Sequence, residues 1–228
     1  SDNTTFMTGA AITGSTGGIW VVGTAQNKMD TSTAVAANTW YHVYQIERTD
    51  TGVVDILFSL QPIAGGTGSP TLPTNYDKLR RLGSFKTATA TTNILAFTQR
   101  GDYVRWTAAL RDVAASANPG TAAVTVTLTV PTGVNVTWMG AGHLTTGVGG
   151  NTAMYVSDLA ATDEAATRAG VAPGAQIVTT TTSTSVAAPL EIQTNTSAQI
   201  RSRLNFSDAD VVVNLYTYGW RDRRGQDN

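Results

Sequence analysis

Along much of the chain, apolar and polar positions alternate. In "TAAVTVTLTV" (121–130) Val124, Val126, Leu128 and Val130 fall on one side, and Thr125, Thr127 and Thr129 on the other. That is the period-two pattern of a half-buried strand. Similar runs recur. "TWYHVYQIER" (39–48) and "VVDILFSL" (53–60) flank the turn formers Asp50, Thr51 and Gly52 and predict a hairpin. In the second run Val54, Ile56, Phe58 and Leu60 form the cleaner apolar face, which makes them the expected inward set. "NILAFTQRGDYVRWTAALRDV" (93–113) reads as two strands about Gly101 and Asp102. Within it "WTAALRDVAAS" also spaces Trp106, Leu110 and Val113 as a helix would, and the strand reading is preferred.

Further on, "VNVTWMG" (134–140) and "AMYVSDLA" (153–160) predict strands, separated by a Gly-rich loop over 143–152. "QIVTTTTST", "APLEIQTNT", "SAQIRSRLNF" and "ADVVVNLYTYGW" predict four more between 176 and 220. "TDEAATRAG" (162–170) carries the signals of a single helical turn, with Thr162 as N-cap and Gly170 as stop. Before residue 38 the chain predicts one short strand around Ile19 to Val22 and otherwise loops. "QPIAGGTGSPTLPTN" (61–75) is a Pro- and Gly-rich loop, and "LRRLGSF" (79–85) a weakly alternating strand. Strands at roughly 8–12-residue spacing, without repeated helices between them, predict an all-β fold: an antiparallel β-sandwich of jelly-roll-like kind with few or no helices. One domain over 1–228 is the simplest organisation. The breaker "SANPG" offers a division near 116–120 into subdomains 1–117 and 118–228.

Composition narrows the chemistry. The chain has 228 residues, enough for a substantial core. Fifteen basic against sixteen acidic side chains leave a formal charge of −1, which exerts no bulk pull on nucleic acid or acidic membranes. With no cysteine, disulfides and thiolate–metal sites are excluded. No apolar run reaches the roughly 18–20 residues that span a bilayer as a helix, so membrane insertion is not expected. "SDNTTFMTG" lacks a basic n-region and an initiator Met, which suggests a chain processed or cut from a longer one rather than one led by a signal peptide.

Candidate chemistry is sparse. His42 and His143 have no metal-ligand partner at useful spacing, and no calcium-type carboxylate set occurs, so no metal or cofactor is expected. "GGTGS" lacks the lysine and helix of a phosphate loop. A Ser-His-Asp triad converges in space, so sequence order leaves it open, but the G-x-S-x-G elbow is missing. Asp158, Asp163, Glu164, Asp208 and Asp210 could pair for glycosidase chemistry, yet each sits where a turn or cap needs an acid. No catalytic residue is nominated. For ligand contact, Trp138 stands at the mouth of the Gly-rich loop that holds His143, and Tyr155 follows. Those three residues are the expected glycan- or receptor-contacting set, because exposed rings on loops suit that role. The cluster Asp77, Lys78, Arg80 and Arg81 in "NYDKLRRLGSF" is expected to be structural, as cations blunting a strand edge or an arginine meeting a buried or interfacial acid.

"TWYHVYQIERTDTGVVDILFSL", then "SPTLPTNYDKLRRLGSF", then "ILAFTQRGDYV" resembles a signature of tail-fibre and other receptor-binding proteins of tailed bacteriophages and prophages. The ending "YGWRDRRG" resembles the close of such proteins, departing at Arg221 and Arg223 where an apolar and a small residue are expected. The likeness covers residues 39–104 and the last ten; residues 105–215 match only in β character. It implies a virion location, a homotrimer of β-sandwich units, and attachment to host-surface polysaccharide or protein without enzymatic activity. Other virion proteins are implied partners, and nucleic acid is not. It also implies that Trp40, Tyr41, His42, Asp55, Tyr76, Arg80 and Arg81 are architectural. A head-fibre, neck or decoration protein is the alternative within the virion, and a tailspike depolymerase the enzymatic one.

Overall fold

A computed structural model describes residues 14–23, 26–62, 68–117, 119–146, 151–179 and 184–223. Within them fourteen strands form three sheets, and the fold is all-β, a mostly antiparallel sandwich. The chain divides into two compact units, Ser1–Ile94 and Leu95–Asn228. The division lies at Ile94 and Leu95, and the strand Tyr103–Ala117 falls inside the second unit.

The first unit holds β1 (Gly14–Ile19), β2 (Gln26–Met29), β3 (Trp40–Glu47), β4 (Val54–Ser59) and β5 (Lys78–Lys86) in one sheet ordered β1-β2-β4-β3-β5. β3 and β4 form the expected hairpin, with Gly52 at φ +68° supplying the left-handed turn residue that a side chain would strain. β1 and β2 pair in parallel, and β2 runs parallel to β4. β1 begins earlier than the sequence suggested and ends at Ile19, so residues 20–22 leave the strand.

The burial of β4 reverses the expectation. Asp55, Leu57 and Ser59 are buried, while Val54, Ile56 and Phe58 are half-buried. Partners explain the reversal. Lys28 meets Asp55 at 2.8 Å, and Ser59 Oγ donates to Asp30 at 2.6 Å. A polar group that finds its complement can be buried at little net cost. Leu57 joins Tyr44, Ile46 and Tyr76 in the core beneath, flanked by Trp20, Leu72 and Leu79. On the other face Tyr41 stacks on Phe85 and Phe58 meets Phe85 edge-on, both pairs at 5.5 Å.

The second unit is a two-sheet sandwich. β6 (Phe97–Arg100), β7 (Tyr103–Ala117), β9 (Thr137–Thr145), β12 (Ser185–Gln193) and β14 (Val212–Arg221) form a five-stranded sheet ordered β12-β9-β14-β7-β6. β8 (Val124–Thr127), β10 (Ala153–Ser157), β11 (Ala175–Val178) and β13 (Gln199–Leu204) form a four-stranded one ordered β11-β10-β13-β8. Val126, Met154 and Leu204 of the smaller sheet face Val113, Val213 and Leu215 of the larger across a cavity of about 70 Å³. "WTAALRDVAAS" is strand, as preferred, because β14 pairs along its backbone and β6 pairs with its first residue, Trp106. Residues 162–167 carry no helical turn; Asp163 there is drawn to Arg203 at 2.8 Å, and Arg201 donates to the Ala161 carbonyl. The loop expected from residue 143 onward begins later, since β9 runs to Thr145; residues 147–150 lie outside the described ones.

Candidate functional site

The nominated contact residues do not share a surface. Trp138 is fully buried, and its Nε1 donates to Thr217 Oγ1 at 2.7 Å. Tyr155 is buried in β10, closed over by Gly170 against its hydroxyl. Neither ring can meet a ligand from solvent. Only His143 is half-exposed, with Nδ1 3.4 Å from the Asn214 amide. The error came from the glycines. Gly140 reads as the end of a short strand and Gly142 as the approach to a loop, yet both sit inside β9, where their missing side chains admit the Trp138 indole and the Met154, Ile177 and Leu190 tips.

His143 does point to a surface that the sequence reading missed: the outer face of the five-stranded sheet. Alternation fixes it. Val104 and Trp106 are buried, so Tyr103 and Arg105 face out on β7. Leu215 and Thr217 are buried, so Tyr216 and Tyr218 face out on β14. Register then brings these together. Arg221 pairs with Tyr103, Gly219 with Arg105, Tyr216 with Arg111, and Asn214 with His143.

Extra residues in β7 shape the face. Between the pairs Thr217–Leu110 and Gly219–Arg105, β14 advances two positions and β7 five. Such a bulge re-aims the side chains around it. Gly219 permits it: a Cβ there would come within 2.0 Å of the Val104 carbonyl oxygen, a backbone atom that cannot swing away. Tyr218 and Tyr103 are consequently 38% and 47% exposed.

Guanidinium groups lie between the rings. Arg105 sits 5.9 Å from the Tyr218 ring centroid and Arg221 4.7 Å from that of Tyr103. Arg221 also donates to the Tyr103 hydroxyl at 2.6 Å and lies 3.6 Å from Glu191. Each exposed cation–π contact is worth about 0.5–1 kcal/mol and restricts the side chain that makes it. Planar rings and planar forks are therefore presented partly pre-set, which lowers the entropy lost when a ligand lands. A tyrosine ring can take the C–H face of a sugar, and a guanidinium can donate to two oxygens at once.

Two other clusters were possible sites of chemistry. In the first unit His42 Nδ1 lies 2.8 Å from Ser84 Oγ, the spacing of a base and a hydroxyl nucleophile. Arg81 sits on both: Nη2 donates to Ser84 Oγ at 2.6 Å, and Nε points to His42 Nδ1 at 3.4 Å. All three are buried, which seals the cluster from a substrate and makes it part of the interior. The candidate acids serve turns and ion pairs. Asp158 accepts from the Ala161 amide, Asp208 from the Asp210 and Val211 amides, and Asp163 from Arg203. Among the described residues, no group of three or more His, Cys, Asp or Glu side chains is placed to hold a metal ion.

The signature residues of 39–104 lie mostly in the interior of the first unit. Tyr41, His42, Asp55, Tyr76 and Arg81 are buried, Trp40 is half-buried, and Arg80 is exposed on the edge strand β5. Asp77 accepts from the Thr49 amide at 3.0 Å and from its hydroxyl, pinning the turn before β5 to the hairpin. In comparisons with known proteins, no family model matches the chain and no curated protein matches it.

Proposed function

We infer that this chain is a surface protein of a tailed-bacteriophage virion, a tail-fibre or receptor-binding domain that attaches to host-surface polysaccharide and performs no chemistry on it. Two lines support the reading. The signature over 39–104 resembles that of such proteins, and five of its residues, Tyr41, His42, Asp55, Tyr76 and Arg81, are buried in the first unit. The observation that carries the contact role is the outer face of the second unit, where exposed Tyr103 and Tyr218 alternate with Arg105 and Arg221 on a rigid sheet. Sites built on strands hold their groups more precisely than sites on loops. A homotrimer would present the face three times, and weak contacts to a repeating polymer then add through avidity.

The test is light scattering on the purified chain, followed by a pull-down on host cells with wild type and with Tyr103→Ala/Tyr218→Ala. The reading expects a trimer that binds cells, and at least a tenfold loss in the variant with its melting temperature held within a few degrees. A monomer that leaves cells untouched overturns it. A trimer that ignores cells but captures another virion protein would instead identify a head-fibre, neck or decoration component.

A further inference from the structure

The charge on the outer face goes further than the contact role on which this inference rests. We propose that the face takes an acidic glycan, a polysaccharide whose repeating unit carries a carboxylate or sulfate. Arg100 pairs with Tyr103 across β6 and β7, so it shares the side of the sheet with Arg105, Arg111 and Arg221. Arg100, Arg105 and Arg111 are exposed. Against these four cations stands Glu191, already 3.6 Å from Arg221. A chain of formal charge −1 thus gathers four of its fifteen basic residues on one side of one sheet. All four are arginines, whose fork matches the two oxygens of a carboxylate or sulfate; lysine would offer only a point charge.

The spacing suits a polymer. Along a strand, residues two apart lie about 6.7 Å from each other on one face. Tyr216 and Tyr218 step along β14 in this way, with Arg111 beside the first and Arg105 beside the second. A row of rings on β14 thus runs beside a row of forks on β7, as sugar rings carry acidic substituents to one side along the glycan. The flanking positions on β9 and β12 are Ala141 and Pro189, and Tyr216 beside them is half-exposed. Single-stranded nucleic acid also offers rings and anions. The near-neutral chain and the confinement of the cations to one sheet face, rather than a groove that tracks a backbone, favour the glycan.

Immobilised polygalacturonate tests this, beside the same polymer after carboxyl reduction to neutral galactan and beside a single-stranded oligonucleotide, with the full chain in each case. Acidic polymer is expected to bind at least tenfold more tightly than its reduced form and to weaken as salt rises from 50 to 200 mM (roughly the range over which such contacts are screened). Arg105→Ala/Arg111→Ala is expected to lose about tenfold or more at an unchanged melting temperature, and Arg105→Lys/Arg111→Lys to recover only part. Equal binding to the reduced polymer removes the acidic class and leaves the glycan-contact role standing. No binding to either polymer, together with no binding to host cells, removes both. Tighter binding to the oligonucleotide overturns the inference in favour of a nucleic-acid surface.

Discussion

The two units differ in the polar groups they bury. The first places full charges in its interior: Lys28 against Asp55, and Arg81 over His42 and Ser84. The second packs apolar side chains around Leu144, Met154, Leu215 and Trp220, and the polar side chains it buries are mostly uncharged, Asp222 being the exception. One of its buried polar links is a relay in which Trp138 donates to Thr217, and Thr217 and Thr129 donate to Asp112. The difference follows from architecture. A sandwich has two sheets to bury each other's apolar faces. The first unit has one sheet among its described strands, and its edges and loops are tied by charge and side-chain hydrogen bonds.

The largest effect that would break this contrast is removal of one buried charge. Lys28→Met leaves Asp55 without its ion pair and should cost about 3–5 kcal/mol, read by guanidinium denaturation. Adding Asp55→Leu should restore most of that loss, since an apolar pair of similar volume replaces the ions. A loss below about 1 kcal/mol in the single variant would mean that the pair is not what secures β2 to β4. In the second unit the matching change is Thr217→Val. It leaves the Trp138 indole and the Asp112 carboxylate each short of a partner, at a cost of about 1–3 kcal/mol in the same measurement. If Thr217→Val costs more than Lys28→Met, the contrast is inverted.

Smaller effects sharpen the comparison through pH. Burial pushes the Tyr44 phenol up to about 12, against the opposing pull of Arg81. Its hydroxyl donates to the Gln61 carbonyl at 2.6 Å. A raised phenol favours the folded state fully below the unfolded pKa of about 10, and that contribution disappears as pH climbs toward 12. Phenolate absorbance at 295 nm should show a late-titrating tyrosine that Tyr44→Phe removes; an unchanged titration would mean that the ring is not sealed. The smallest effect is at Asp77, held below the usual carboxylate range by the Thr49 hydroxyl and amide. A lowered carboxyl stabilises above about pH 4 and ceases to as pH falls through its folded value. The melting temperatures of wild type and Asp77→Asn should differ slightly at pH 7 and converge in acid.

Much of the sandwich was legible because its strands obey one rule. Val126, Leu128 and Val130 are buried and Thr125 and Thr127 exposed, as the alternation requires, although Val124, expected on the same side as Val126, is exposed at the start of β8. β4 was misread because a buried aspartate looks like a surface residue until its lysine is found, and Lys28 lies 27 positions away in a segment without strong pattern. Trp138 was misassigned because glycines inside a strand look the same in sequence as glycines in a loop. The outer face escaped notice for a different reason. Its members come from four strands, β6, β7, β9 and β14, and only the pairing register sets them side by side. Tyr216 and Tyr218 were legible as alternating positions; that Arg111 and Arg105 would stand beside them depends on a bulge that no local signal announces.

One consequence concerns biosynthesis. β14 separates β7 from β9 in the larger sheet, hydrogen-bonding to both, and it follows all the other described strands in sequence. While residues 212–221 are still inside the ribosome, the hairpin β6–β7 and the pair β9–β12 have no common neighbour. The charge-tied unit can close during translation, whereas the sandwich must wait for β14 to be released. A message truncated even a dozen codons before that point would yield a product with one finished half and one collapsed half, a ready substrate for proteases.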